Sequence, residues 1–202
     1  SVSRVGNSSK VYEKDGKLYD RTTTILDAWV EPWILEWLTE VGRVAANKKS
    51  RASLARGKRV DELVQMDIAK GKFKLRKSES AEVVSCMKGW LLWKEREAKE
   101  IKSIQQTCWC DETMTAGTYD IEEVDCMTDV KASSQINPKN WIQVAWYNHI
   151  SKLNKPCIAI LRLDPFWSNY EYQRKPMNEA YCEIFKGILN AYRYFSHQGE
   201  LE

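Results

Sequence analysis

The stretch TAGTYDIEEVDCMTDVKASSQINPKNWIQVAWYNHI, residues 115–150, sets the fold. Thr115 to Val124 and Cys126 to Ser133 are rich in β-branched and alternating residues, and a turn between Glu123 and Cys126 separates them. Folding this pair as a hairpin brings Asp120 and Asp129 together. The period of two along a strand then puts Lys131 on the same face as Asp129. Asn137 reads as an N-cap and Pro138 as the first helical residue, so Gln143 and Tyr147, four apart, share one helix face.

Two carboxylates with a neighbouring carbonyl, here that of Val130, suit Mg²⁺ or Mn²⁺, hard cations that prefer oxygen and keep several waters. A phosphate oxygen can occupy an open position. A lysine beside such a site can orient or help deprotonate water, or offset charge that builds on phosphorus. Metal and lysine together point to phosphodiester hydrolysis.

The order Gly117-Thr118-x-Asp120, Asp129-Val130-Lys131, Ser133 and Gln143-x-x-x-Tyr147 resembles the PD-(D/E)XK nuclease superfamily, and within it the RecB-like, phage-type exonuclease branch. The resemblance runs from Val11 to Phe195 and implies a restriction-endonuclease-like core. It implies Asp120 and Asp129 as metal ligands, Lys131 as the residue assisting water, and Gln143 and Tyr147 as positioning groups. Ala55 to Val64 resembles the branch's first motif, a Gly-x-x-x-His at a helix start. Asp61 stands at the histidine position, with Glu62 as the adjacent alternative ligand. Some relatives carry an iron–sulfur cluster with three cysteines near the C-terminus; only Cys157 and Cys182 follow Lys131, so none is expected.

Farther out, charge is unevenly distributed. The chain carries 31 Lys/Arg and 28 Asp/Glu, a net +3. Arg43 to Lys77 holds twelve Lys/Arg against Asp61, Glu62 and Asp67, a local +9, whereas Asp111 to Asp129 has seven acids and no Lys or Arg. A polyanion would be drawn to the first region and cut at the second, so Lys58, Arg59, Lys72, Lys74, Arg76 and Ser133 are candidate substrate contacts.

Val11-Tyr12, Asp15-Gly16 and Leu18-Tyr19 read as a small hairpin, and Thr22 to Leu26 leads to Pro32 and a helix with Trp33, Trp37, Leu38, Val41, Val44 and Ala45 on one face. A helix over Ser80 to Lys99 should turn Val83, Val84, Met87, Trp90 and Leu91 inward. Ile104 to Cys110 adds a strand, and the apolar run Cys157 to Leu163 suits a strand covered on both faces, with Asn169 to Arg174 beside it. Asn178 caps a last helix with Tyr181, Ile184, Phe185, Ile188, Leu189, Tyr192 and Phe195 on one stripe.

The expected architecture is α/β, a central mixed sheet flanked by helices. With 202 residues and 43% hydrophobic content, a single domain is expected, with hairpin and helices over 1–100 and the catalytic sheet core over 101–202. No apolar run has membrane-spanning length and no secretory layout opens the chain, so a cytoplasmic protein is expected. Most of the six cysteines read as buried, reduced thiols, and His149 and His197 are too isolated for a His-based hydrolase.

The sequence reading is a Mg²⁺- or Mn²⁺-dependent deoxyribonuclease, an exonuclease acting from single- or double-stranded DNA ends in phage replication, recombination or repair, with a replication or recombination protein as a possible partner. The alternatives are an endonuclease of the same superfamily and a non-catalytic nucleic-acid-binding module.

Overall fold

The computed structural model describes residues 11–30 and 43–197. Trp33, Trp37, Leu38 and Val41 of the expected N-terminal helix lie outside them. Strands β1 (Val11–Lys14) and β2 (Lys17–Arg21) form the expected hairpin. Asp15 and Gly16 close it with φ of 52° and 76°, the left-handed pair that matches strand twist. Helix α1 (Thr22–Ala28) follows at once: the threonine run is helical because Ile25 and Leu26 are buried and Thr22 Oγ1 donates to Ala116 O, a tertiary override of β-branched preference.

Helix α2 (Arg43–Lys70) buries Val60, Leu63 and Val64 near its C-terminal end, whereas residues 47–55 are exposed, as is Ala45, which the sequence placed on an apolar face. Helix α3 (Ala81–Arg96) starts where Ser80 Oγ accepts from Val83 N. Its buried stripe is Val83, Cys86, Met87, Trp90 and Trp93, at helical spacing. Val84 is only half-buried and Leu91 is 46% exposed, because both fall off that stripe.

The sheet continues through β3 (Ile101–Cys110), β4 (Thr115–Glu123) and β5 (Cys126–Lys131), then α4 (Pro138–Ile150), β6 (Cys157–Leu163), β7 (Tyr170–Pro176) and α5 (Ala180–His197). On α5, Cys182, Phe185 and Leu189 are buried, while Ile184 and Phe195 of the expected stripe are exposed. The seven strands make one mixed sheet in the order β1-β2-β4-β5-β6-β7, with β3 on β4. One apolar layer joins the sheet to α1, α4 and α5 through Met127, Ile158, Ile160, Trp146 and Phe185. The other joins it to α2 and α3 through Ile121, Val130, Leu161, Leu163 and Trp90.

The pairing around β4 creates the site. β3 pairs with β4 from Thr115 to Glu123. The opposite edge of β4 is shared: β2 pairs in parallel at Thr115 and Ala116, and β5 pairs antiparallel at Ile121 and Glu122. Between them, Gly117 to Asp120 have no strand on that edge, and the sheet forks.

The turn from β6 to β7 is fixed to α3. Ser85 Oγ donates to Asp164 O at 2.8 Å and accepts from Ser168 N at 2.7 Å. Gly89 allows the contact, since a Cβ there would lie 2.3 Å from Asn169 O. Gly89→Ala is therefore expected to lower Tm by roughly 3–10 °C by forcing helix and turn apart. Thermal melts of the two proteins check this, and an unchanged Tm would contradict it.

Candidate active site

The fork opens into a cavity of about 620 Å³ whose lining includes Gly117, Asp120, Asp129, Val130, Lys131, Gln143, Tyr147 and Asp61. Four elements supply these groups: β4, β5, α4 and α2.

Asp120 stands in the gap of the fork. Its Oδ2 accepts from Val130 N at 2.8 Å, so the carboxylate takes the place of a strand carbonyl where β5 leaves β4. Its Oδ1 accepts from Gln105 Nε2 at 2.9 Å. Gln105 lies between Ile104 and Gln106, which pair with Ile121 and Tyr119 on either side of Asp120, and its φ of 48° is left-handed in the middle of a strand, an outlier of the kind that collects at functional sites. Sequence reasoning did not single out Gln105. The four-residue turn after β3 leaves the register open, and nothing in the residue type signals the backbone conformation.

Asp129 and Lys131 project together from β5. Asp129 is 2% exposed, and its Oδ2 lies 2.8 Å from Lys131 Nζ. Gln143 bridges the pair: Oε1 accepts from Lys131 Nζ at 3.2 Å, and Nε2 donates to Asp129 Oδ1 at 3.3 Å and to the Tyr147 hydroxyl at 3.2 Å. An ammonium has only donors, so the amide oxygen must face it and the NH₂ must face the carboxylate. The Tyr147 ring packs over Gly117, where an added Cβ would lie 2.1 Å from Cε1. Gly117 of the sequence motif thus has a steric cause.

Asp61 turns from α2 into the cavity, whereas the adjacent Glu62 turns away to Arg59 at 3.2 Å. Arg59 also pairs with Glu79 at 2.8 Å and is largely buried. Arg59, an expected substrate contact, thus has its guanidinium engaged by two carboxylates. Lys58, Arg59 and Arg76 line a second cleft between α2 and the segment leading to α3. Lys58, Lys72, Lys74 and Arg76 are exposed, and Ser133 Oγ donates to Gln135 O. None of these lines the main cavity.

Burial and the Asp120 charge push Asp61 up to about 8. Burial also pushes Asp129 up to about 7, against the pull of Lys131. For Lys131 burial works the other way, yet the charges of Asp129, Asp120 and Asp61 outweigh it and hold the ammonium above the ordinary lysine value. Burial raises Tyr147 well beyond its usual range, so it is a neutral phenol.

The donor set fits a hard divalent cation. Asp129 Oδ2 is buried and, despite its nearness to Lys131, has no donor in hydrogen-bonding alignment. Each engaged carboxylate oxygen of Asp120 keeps a second lone pair. Among the described residues, the trio whose ligand atoms already lie within 4.8 Å of one another is His149, Glu179 and Cys182, and none of these lines the cavity.

No family model and no curated protein matches the chain. Among the solved structures similar to it are the following two. One is a candidate exonuclease from Eubacterium rectale, with 14% identity and TM-score 0.46, the match covering 68% of this chain and 63% of that one. The other is an alkaline exonuclease (LHK-Exo) from Laribacter hongkongensis, with 8% identity and TM-score 0.47, covering 90% and 93%. The functional reading rests on the geometry of the site itself.

Raised carboxyl values make the site a cost to the fold at higher pH. A group whose pKa rises on folding gives stability that is complete below its unfolded value and is lost as pH climbs through the folded value, here about 7 for Asp129 and 8 for Asp61. Paired carboxyls such as Asp125 and Asp164 are held below the ordinary range and no longer titrate above pH 6. In chelator, Tm should therefore fall between pH 6 and pH 8.5, and Asp61→Asn should flatten the fall. A Tm that rises over that interval would contradict the assignment of these two aspartates.

Proposed function

We propose that this chain is a metal-dependent nuclease of the PD-(D/E)XK superfamily, hydrolysing DNA phosphodiester bonds as an exonuclease of the RecB-like branch. The observation that carries the reading is the convergence of Asp120, Asp129 and Lys131 in the β4–β5 fork, with Gln143 and Tyr147 behind them. Asp120, Asp129 and Asp61 would hold Mg²⁺ or Mn²⁺, with the Val130 carbonyl as a further oxygen. Bound there, the cation would supply Lewis acidity toward a phosphate oxygen and lower the pKa of water.

The chain's own groups divide the remaining work. Lys131 keeps its proton at neutral pH, so it acts as a donor that orients water and opposes charge growing on phosphorus, and not as a resting base. Gln143 bridges Lys131 and Asp129 and is itself held by Tyr147. Gln105 and Val130 N fix Asp120 so that its free lone pairs stay aimed at the cavity. Exposed Lys58, Lys72, Lys74 and Arg76 suit contact with phosphates beyond the scissile one. A sequence-specific endonuclease would need an element that reads base edges. DNA repair, recombination or phage replication, and a partner protein from one of them, fit such an activity.

End-labelled linear and closed circular duplex DNA, each with Mg²⁺, Mn²⁺ or chelator, test the reading. Linear DNA should shorten progressively with either metal, circles should resist, and chelator should stop the reaction. Asp129→Ala and Lys131→Ala should each lower the rate by about 10³ or more with far-UV circular dichroism unchanged. Undiminished cleavage by either variant would overturn the assignment, and discrete fragments from closed circles would favour the endonuclease.

A further inference from the structure

Cys126 and Cys157 open the parallel strands β5 and β6 and stand opposite one another in the register. Neighbouring strands lie about 4.8 Å apart, inside the Cα separation a disulfide accepts. The two sulfurs are 2.6 Å apart, closer than non-bonded sulfurs ordinarily sit. Cys126 is buried, whereas Cys157 is partly open to solvent. Arg174 Nε points at Cys157 Sγ from 3.4 Å and its Nη2 donates to Asp125 at 2.9 Å, which pins the guanidinium on the sulfur. Neither thiol has a part in the hydrolytic chemistry proposed above, and both lie at the end of their strands remote from Lys131.

We infer that Cys126 and Cys157 are a redox-active pair that closes to a cross-strand disulfide on reaction with a small-molecule disulfide such as oxidised glutathione. Cys157, the sulfur that solvent reaches, loses its proton, attacks one sulfur of the reagent and expels the first reduced thiol. Cys126 then loses its proton, attacks the Cys157 sulfur and expels the second. Two protein thiols become one disulfide, the reagent disulfide becomes two thiols, and the two protons end on those thiols. Burial raises Cys126 above the ordinary thiol range, so closure quickens with rising pH.

The bond has a defined consequence. Its partners are 31 positions apart, and the ring between them contains Asp129, Lys131, Gln143 and Tyr147. Oxidation therefore staples the segment that carries most of the site, which restricts that segment in the unfolded chain. Because the disulfide depends only on the β5–β6 register and the two sulfurs, it stands or falls independently of the nuclease reading.

Incubating the full chain with oxidised glutathione, alkylating in denaturant and mapping peptides without reduction tests this. Alkylatable thiols should drop from six to four, a Cys126–Cys157 peptide pair should appear, and dithiothreitol should restore all six. The oxidised protein should melt roughly 5 °C higher than the reduced one. Cys126→Ser should trap a glutathione adduct on Cys157, whereas Cys157→Ser should leave Cys126 unmodified. Six alkylated thiols after oxidation, a different cross-link, or a Cys157 adduct beside a free Cys126 in the unsubstituted protein would each overturn the inference.

Discussion

β2 and β5 compete for one edge of β4, and neither takes all of it. The residues left between them, Gly117 to Asp120, keep β3 on one side and lose strand pairing on the other. A backbone N–H at such a divergence needs an acceptor, and the Asp120 carboxylate supplies it to Val130. One hydrogen bond thus holds the fork open at a fixed width and brings a carboxylate from β4 beside the carboxylate and ammonium of β5. Gly117 completes the opening from the other side, because the absent Cβ lets the Tyr147 ring reach the strand and support Gln143.

What the fork assembles is electrostatically unfavourable until something positive balances it. Asp61, Asp120 and Asp129 line one cavity with Lys131 and Arg21, and burial together with the neighbouring carboxylates raises Asp61 and Asp129. A site of this kind lowers the stability of the empty fold and favours a divalent ion, since the binding free energy includes relief of carboxylate repulsion. The same field keeps Lys131 protonated, so one set of charges would both favour the proposed metal and set the proposed role of the lysine.

The convergence of the candidate site residues was legible because they sit at the native periods of regular elements. Asp129 and Lys131 are two apart on a strand, and Gln143 and Tyr147 are four apart on a helix behind an Asn-Pro start. Asp61 was identified through motif position, and the structure separates it from Glu62 because Arg59 draws Glu62 to the other side of α2. Residues defined by tertiary contact were not legible. Arg59 was an expected substrate contact from its local charge, and the fold sets Glu79, twenty residues on, against it. Gln105 gained its place from a strand register and a left-handed backbone that no local pattern announces. Leu91 and Ile184 looked like core because they are large and apolar, yet each falls just off the buried stripe of its helix.

On the proposed reading, Asp120, Asp129 and Asp61 in the fork would hold one or two divalent cations beside Lys131. Anomalous scattering from crystals soaked in Mn²⁺ tests this without recourse to any assay of cleavage. A Mn²⁺ peak is expected in the cavity, bonded to Asp129 Oδ2, and should disappear in Asp129→Asn. A peak confined to the His149, Glu179 and Cys182 trio, or no peak in the fork at saturating Mn²⁺, would contradict it.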